Sequence, residues 1–147
     1  MAPDTQSASD MAFPLTGGCQ CGGVRYALSD APEAVYVCHC TECRKQSASA
    51  FGISVIVRQE SFRLTAGRPQ VWTRRTDKGN RLDCWFCPDC GGRVWHASSG
   101  FPGVLSVKGG TLDDPPDLGS AVHIWTASRM PGVPVPDGAQ CFPGEPE

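Results

Sequence analysis

Three groups of cysteines carry the chemistry that this sequence offers: Cys19-Gln-Cys21, Cys38-His-Cys40-Thr-Glu-Cys43 and Cys87-Pro-Asp-Cys90. Seven of the nine cysteines sit in these motifs, with Cys84 and Cys141 left over. Spacings of one or two residues between thiols are those of metal ligands, and zinc, which takes thiolates tetrahedrally, is the expected ion. The segment CPDCGG reads as a knuckle in which a tight turn sets two thiolates side by side and the following glycine takes up positive φ. Such a knuckle supplies half of a four-cysteine site. Spacing alone lets either Cys19/Cys21 or Cys40/Cys43 supply the other half. Counting favours the first: it closes one site with Cys19, Cys21, Cys87 and Cys90 and leaves Cys38, Cys40 and Cys43 as a second site with three protein ligands. Closed zinc sites stabilise folds, whereas open ones accept water or substrate. Cys84 is a rival fourth ligand for the second site, or a small buried apolar residue on a strand.

Three thiolates leave a zinc complex with net negative charge, a weak Lewis acid and a poor source of hydroxide. A soft, sulfur-rich site favours a thiol that binds as thiolate, so the accessible chemistry is making or breaking a bond between that sulfur and an electrophilic carbon. Arg44 and Lys45 follow the third ligand and could receive carboxylates of the thiol compound. His39, between two ligands, is placed to support them or carry a proton, or else faces solvent in a turn. His96 and His123 lie in apolar strand contexts and read as core or edge histidines.

These residues must be held by a mainly β framework. Short β-rich runs recur at 24–28, 34–38, 51–57, 61–65, 70–75, 81–86, 93–97, 104–108 and 121–127, separated by glycine and proline turns, and the best place for a helical turn is 41–49. The chain of 147 residues has the length of one domain. The expected organisation is a polar tail over 1–12, one domain over 13–135 and a tail over 136–147, the stretch 131–147 carrying five of the thirteen prolines. A net charge of −2 with no basic run longer than two residues leaves no footprint for nucleic acid or an anionic membrane. No apolar run approaches a membrane span, the N-terminus lacks the pattern of a secretion signal, and so many cysteines fit a reducing compartment; the expected location is cytoplasmic. The expected partners are small molecules.

With GGCQCGGVRY, CHCTECRKQS, WFCPDCGG, KGGTLDD and AVHIWTASR in that order, the sequence over about residues 16 to 130 closely resembles the glutathione-dependent formaldehyde-activating (GFA) family, which includes centromere protein V domains. The resemblance implies a β-tent of packed antiparallel sheets. It implies two zinc ions per chain, a structural one on Cys19, Cys21, Cys87 and Cys90 and a catalytic one on Cys38, Cys40 and Cys43. For function it implies a carbon–sulfur lyase that adds glutathione to formaldehyde, giving S-(hydroxymethyl)glutathione, or that acts on a glutathione conjugate. The chain departs from the pattern in carrying Cys84 and Cys141 and in placing Gly132 where many relatives have tryptophan. Two other readings of the same motifs are a carrier that binds glutathione or its adduct without turnover, and a zinc-stabilised interaction module.

Overall fold

The computed structural model describes residues 12–146, so the expected tail over 1–12 falls almost wholly outside the described residues. Ten strands and one helix follow in the order β1 (Leu15–Gly18), β2 (Arg25–Leu28), β3 (Ala34–Cys38), α1 (Thr41–Ser47), β4 (Gly52–Arg58), β5 (Phe62–Ala66), β6 (Gln70–Arg75), β7 (Arg81–Phe86), β8 (Arg93–Ser98), β9 (Val104–Lys108) and β10 (Val122–Ile124). Each expected β-rich run overlaps one of them. β1 was not expected, because Leu-Thr-Gly-Gly has neither β-branched alternation nor bulk. Its glycines serve packing: a Cβ at Gly17 would come within 2.4 Å of the Tyr26 hydroxyl. The last run, 121–127, yields only the short strand β10, since Trp125 turns into the left-handed region (φ 57°) and a 3₁₀ turn, Thr126–Ser128, follows.

Two sheets result, a three-stranded one in the order β1-β2-β5 and a seven-stranded one in the order β10-β3-β4-β9-β8-β7-β6. All neighbours are antiparallel except β10 and β3, which run parallel. The core lies between the sheets. From the large sheet come Val55, Val57, Val94, Trp95, Leu105 and Val107, and from the small one Tyr26 and Leu28. A run of aromatic contacts crosses the interface: Tyr26 stacks on Phe62 at 5.3 Å between ring centroids, Phe62 leans on Trp95 at 4.7 Å, and Trp95 stacks on Trp85 at 5.4 Å.

Because side chains alternate across a strand, the large sheet has a second face. Val55 and Val107 point into the core, so their neighbours Ser54, Ser106 and Lys108 point away from it. The register lines Trp72, Cys84, His96 and Ser106 in one row across β6, β7, β8 and β9. This second face is concave. Ion pairs tie the two margins of the sheet toward each other: Arg74 of β6 meets Glu42 of α1 at 3.6 Å, and Lys78, in the β6–β7 turn, meets Glu145 at 3.0 Å. Glu145 sits in the C-terminal segment, which runs beside β10 through backbone bonds from His123 to Gln140 (2.9 Å) and from Phe142 to His123 (2.9 Å).

Trp95 is 8% exposed and is wedged between Phe62 and Trp85. Its truncation leaves a void that rigid strands on both sides cannot fill, so Trp95→Ala is expected to cost about 3–5 kcal/mol, read as a lower urea midpoint at unchanged slope.

Candidate functional site

Cys19 and Cys21 occupy the loop between β1 and β2, and Cys87 and Cys90 the loop between β7 and β8. Folding brings one sulfur from each of these four residues within 4.8 Å of the others, a cluster that joins the small sheet to the large one. Cys19 Sγ lies 3.6 Å from Cys21 Sγ, which lies 3.7 Å from Cys87 Sγ. Zinc–sulfur bonds of about 2.3 Å in a tetrahedron set sulfurs about 3.8 Å apart, so the donor set fits zinc and is far too open for a disulfide. The backbone prepares the sulfurs for negative charge. Val24 N–H donates to Cys19 Sγ at 3.2 Å and Gly23 N–H to Cys21 Sγ at 3.4 Å. Backbone donors likewise pull the Cys90 thiol down to about 6. The knuckle closes by Gly91 N–H donating to Cys87 O at 2.8 Å, and Gly91 takes the positive φ (78°) that the turn requires.

The second cluster is Cys38, at the end of β3, with Cys40 and Cys43, their sulfurs again within 4.8 Å of one another. Cys40 caps α1, its sulfur accepting from Cys43 N–H at 3.3 Å, so the helix start itself sets the spacing of the two ligands. Gly52, paired with Cys38 across β3 and β4, lets the helix lie this close: a Cβ there would stand 3.1 Å from Cys43 Cβ. The neighbouring Cys38 and Cys43 thiols pull Cys40 down to about 2, and the same crowding pushes Cys38 up. Three thiols so crowded cannot all ionise unless a cation joins them, which is the chemistry of a metal-binding donor set. Among the described residues, no fourth cysteine, histidine or carboxylate belongs to this cluster. Cys84 is fully buried on β7 and stands outside it, and Cys141 is exposed near the C-terminus.

Cys43 opens onto a cavity of about 440 Å³ on the concave face, lined by Glu42, Lys45, Gln46, Ser54, Trp72, Arg74, Leu82, Arg93, His96, Ser106 and Lys108. Four cations thus face one carboxylate, and that carboxylate, Glu42, is already paired with Arg74. Arg93 is held twice, its guanidinium 5.2 Å over the Trp72 ring and its Nη1 3.2 Å from His96 Nε2. Arginine has only donors, so His96 Nε2 accepts. Burial, reinforced by the charges of Lys108, Arg93 and Arg74, pushes the His96 pKa down to about 2 and keeps the ring neutral. Lys108 is 9% exposed, with Nζ 3.2 Å from Ser106 Oγ and 3.4 Å from Ser54 Oγ. Burial lowers its pKa while the Cys43 and Cys38 thiols beside it act in the opposite sense.

Of the residues singled out in the sequence as possible ligand contacts, Lys45 lines this cavity, whereas Arg44 and His39 do not. His39 is completely buried rather than turned to solvent, with Nε2 3.0 Å from Nδ1 of His123, itself 4% exposed. Their remaining nitrogens, His39 Nδ1 and His123 Nε2, have no hydrogen-bond partner among the described residues. Arg74, Arg93, Lys108 and Trp72 were not singled out. The available signal was alternation: placing Val55 and Val107 in the core puts Ser54, Ser106 and Lys108 together on the other face.

The glutathione-dependent formaldehyde-activating enzyme family matches residues 14–128. In three dimensions the chain is similar to a crystal structure of a Rhodobacter sphaeroides protein, with a TM-score of 0.58 and 23% identity over 74% of this chain and 99% of that one. That likeness concerns the fold. With a match spanning most of its length, carrying both cysteine clusters, the chain belongs to the glutathione-dependent formaldehyde-activating enzyme family.

Proposed function

We propose that this protein is a zinc-dependent enzyme of the carbon–sulfur lyase type, joining a thiol, glutathione, to an aldehyde such as formaldehyde, or acting on a glutathione conjugate. The observation that carries the reading is the three-cysteine cluster opening through Cys43 onto a cavity rich in cations. In this reading Cys19, Cys21, Cys87 and Cys90 hold a structural zinc, and Cys38, Cys40 and Cys43 are ligands of a second zinc rather than nucleophiles. A zinc at the second site would favour the ionised form of a thiol entering the cavity.

The chain's own residues have separate tasks. Arg93, fixed by Trp72 and His96, and Arg74 receive the carboxylates of the thiol compound, with Lys45 at the helix side; a guanidinium matches a carboxylate in a bidentate way. His96, kept neutral, takes no proton from the reaction and serves to aim Arg93. Leu82 and Trp72 supply apolar wall against the body of the ligand. Arg44 lies on α1 away from this lining, so the carboxylate role assigned to the pair Arg44 and Lys45 passes in part to the strand arginines. His39 contributes from behind: paired with His123, it braces the β3–α1 junction that carries the three cysteines. Nine free thiols suit a reducing compartment, in keeping with a cytoplasmic location, and no helix among the described residues is long and apolar enough to cross a membrane.

The decisive experiment counts zinc per chain and sulfur ligands per zinc, by elemental analysis and zinc K-edge spectroscopy, before and after adding glutathione. Two zincs, one of them gaining a sulfur from glutathione, are expected, together with formation of S-(hydroxymethyl)glutathione faster than in buffer. A single zinc indifferent to glutathione would overturn the reading in favour of an interaction module; binding without acceleration would leave only a carrier.

The two sites should also separate by mutation. A structural zinc contributes about 10–16 kcal/mol of binding free energy to folding, so Cys87→Ser is expected to lose about 3 kcal/mol or more of stability, measured by thermal unfolding. Cys40→Ser should stay folded with one zinc and lose activity by more than about 100-fold, beyond what disturbing a ligand's hydrogen-bond partner costs.

A further inference from the structure

Lys108 is a buried cation among the cavity-lining residues, and its surroundings do not account for it as structural support. No carboxylate pairs with it among the described residues. Its hydrogen-bond partners are two neutral hydroxyls, Ser106 Oγ at 3.2 Å and Ser54 Oγ at 3.4 Å. An ammonium carries three N–H donors, so one is left over on a side chain that lines the cavity. Burying such a group without a counter-charge costs several kcal/mol. The compensation available is the three-cysteine cluster, since Cys43 lines the same cavity as Lys108. A lysine at the end of β9 held by a serine from the paired position on β4 and another two residues earlier on β9 is aimed by the sheet itself.

We infer that Lys108 is a catalytic residue whose spare N–H holds the oxygen of the electrophile while sulfur attacks its carbon. The inference rests on the reading of the protein as a thiol–aldehyde enzyme. In the addition, the sulfur electron pair forms the C–S bond, the C=O π pair moves onto oxygen, and that oxygen takes a proton from water while the thiol's proton has passed to water. Thiol and aldehyde therefore give the hydroxymethyl thioether with nothing left over. Negative charge collects on the oxygen during the step, and a fixed ammonium in a cavity partly screened from water is the donor that stabilises it. The arginines have a different place in the scheme. Arg93 is committed to Trp72 and His96, and Arg74 to Glu42, leaving them to the far end of the thiol compound.

Sodium formate tests this directly, since it has the shape of formaldehyde, carries charge on oxygen and does not react with thiols. Its affinity is to be measured by ¹³C-formate line broadening on the zinc-containing protein and on Lys108→Met, alongside turnover of glutathione and formaldehyde and the affinity for glutathione alone. Formate is expected to bind the unaltered protein in competition with the aldehyde. Lys108→Met should weaken it by more than about tenfold and lower kcat by about 100- to 1,000-fold, the loss typical of one oxyanion donor, with glutathione affinity changed far less. Lys108→Arg should regain part of the formate affinity.

Equal formate affinity in Lys108→Met, or none in the unaltered protein, would overturn the inference even if the protein proves to be an active enzyme. Formate binding that depends on Lys108 in a protein without turnover would instead overturn the proposed reaction and leave the oxyanion site standing. If Lys108→Met fails to fold, the paired change Ser54→Ala with Ser106→Ala decides: it keeps the lysine, removes its aim, and should weaken formate and slow turnover together, and unchanged affinity would refute the proposal.

Discussion

Four sulfurs bring the two halves of this molecule together at one point. Cys19 and Cys21 belong to a loop of the small sheet, Cys87 and Cys90 to a hairpin of the large one, and no backbone hydrogen bonding makes the two sheets continuous. The aromatic contacts from Tyr26 to Trp85 fill the space between the sheets, but stacked rings slide easily compared with ligands on a common ion. A metal held by this cluster would fix the angle at which the sheets meet. It would thereby set how strongly β7 and β8, which flank the knuckle, curl over the concave face. The KGGTLDD segment repeats the stitch at another corner. Thr111 donates to Lys108 O at 2.6 Å and accepts from the Tyr26 hydroxyl at 2.8 Å, while Asp113 accepts from Thr16 at 2.6 Å and from both terminal nitrogens of Arg25. The Arg25 guanidinium holds the Asp113 carboxyl down to about 2. Thr111 thus anchors Lys108, through that residue's own carbonyl, as its ammonium reaches the cavity.

Much of this was legible in the sequence, and the reasons differ from part to part. Strands such as AVYVC and GISVIV announce themselves by branched and aromatic residues, because they pack on a hydrophobic interior. The grouping of cysteines into four and three follows from local spacing and a count, and the folded chain brings together those same groups. What could not be read were relations between distant residues. β1 escapes because Gly17 answers to the Tyr26 ring on the next strand and to the carbonyl of Thr111, far along the chain. The cavity escapes for the same reason: Trp72, His96 and Ser106 are neighbours only through strand register. Arg44 and Lys45 illustrate the limit most sharply. As adjacent residues on α1 they point about 100° apart, so adjacency in sequence could not tell which of them faces the cavity that Lys45 lines.

The distribution of charge bears on which kind of protein this chain is. An interaction module with a vestigial second cluster has no use for a cation buried behind a sheet, and would be more stable with an apolar residue at 108. A simple thiol carrier needs arginines for carboxylates but no donor beside the sulfurs. Lys108 is 9% exposed and lies among neutral hydroxyls, whereas Arg74 and Arg93, to which the proposed function gives the carboxylates, are half-buried and line the cavity with Trp72, which is 49% exposed. The cavity is therefore graded, from an aromatic and guanidinium entrance to an ammonium beside thiols. Under the proposed function, a ligand with charge at one end and a reacting sulfur at the other matches that gradient in one orientation, which would bring the electrophile against the buried ammonium of Lys108. Positioning of this kind would separate a catalyst from a receptor, because the stabilising charge would face the atom that becomes negative only during the reaction.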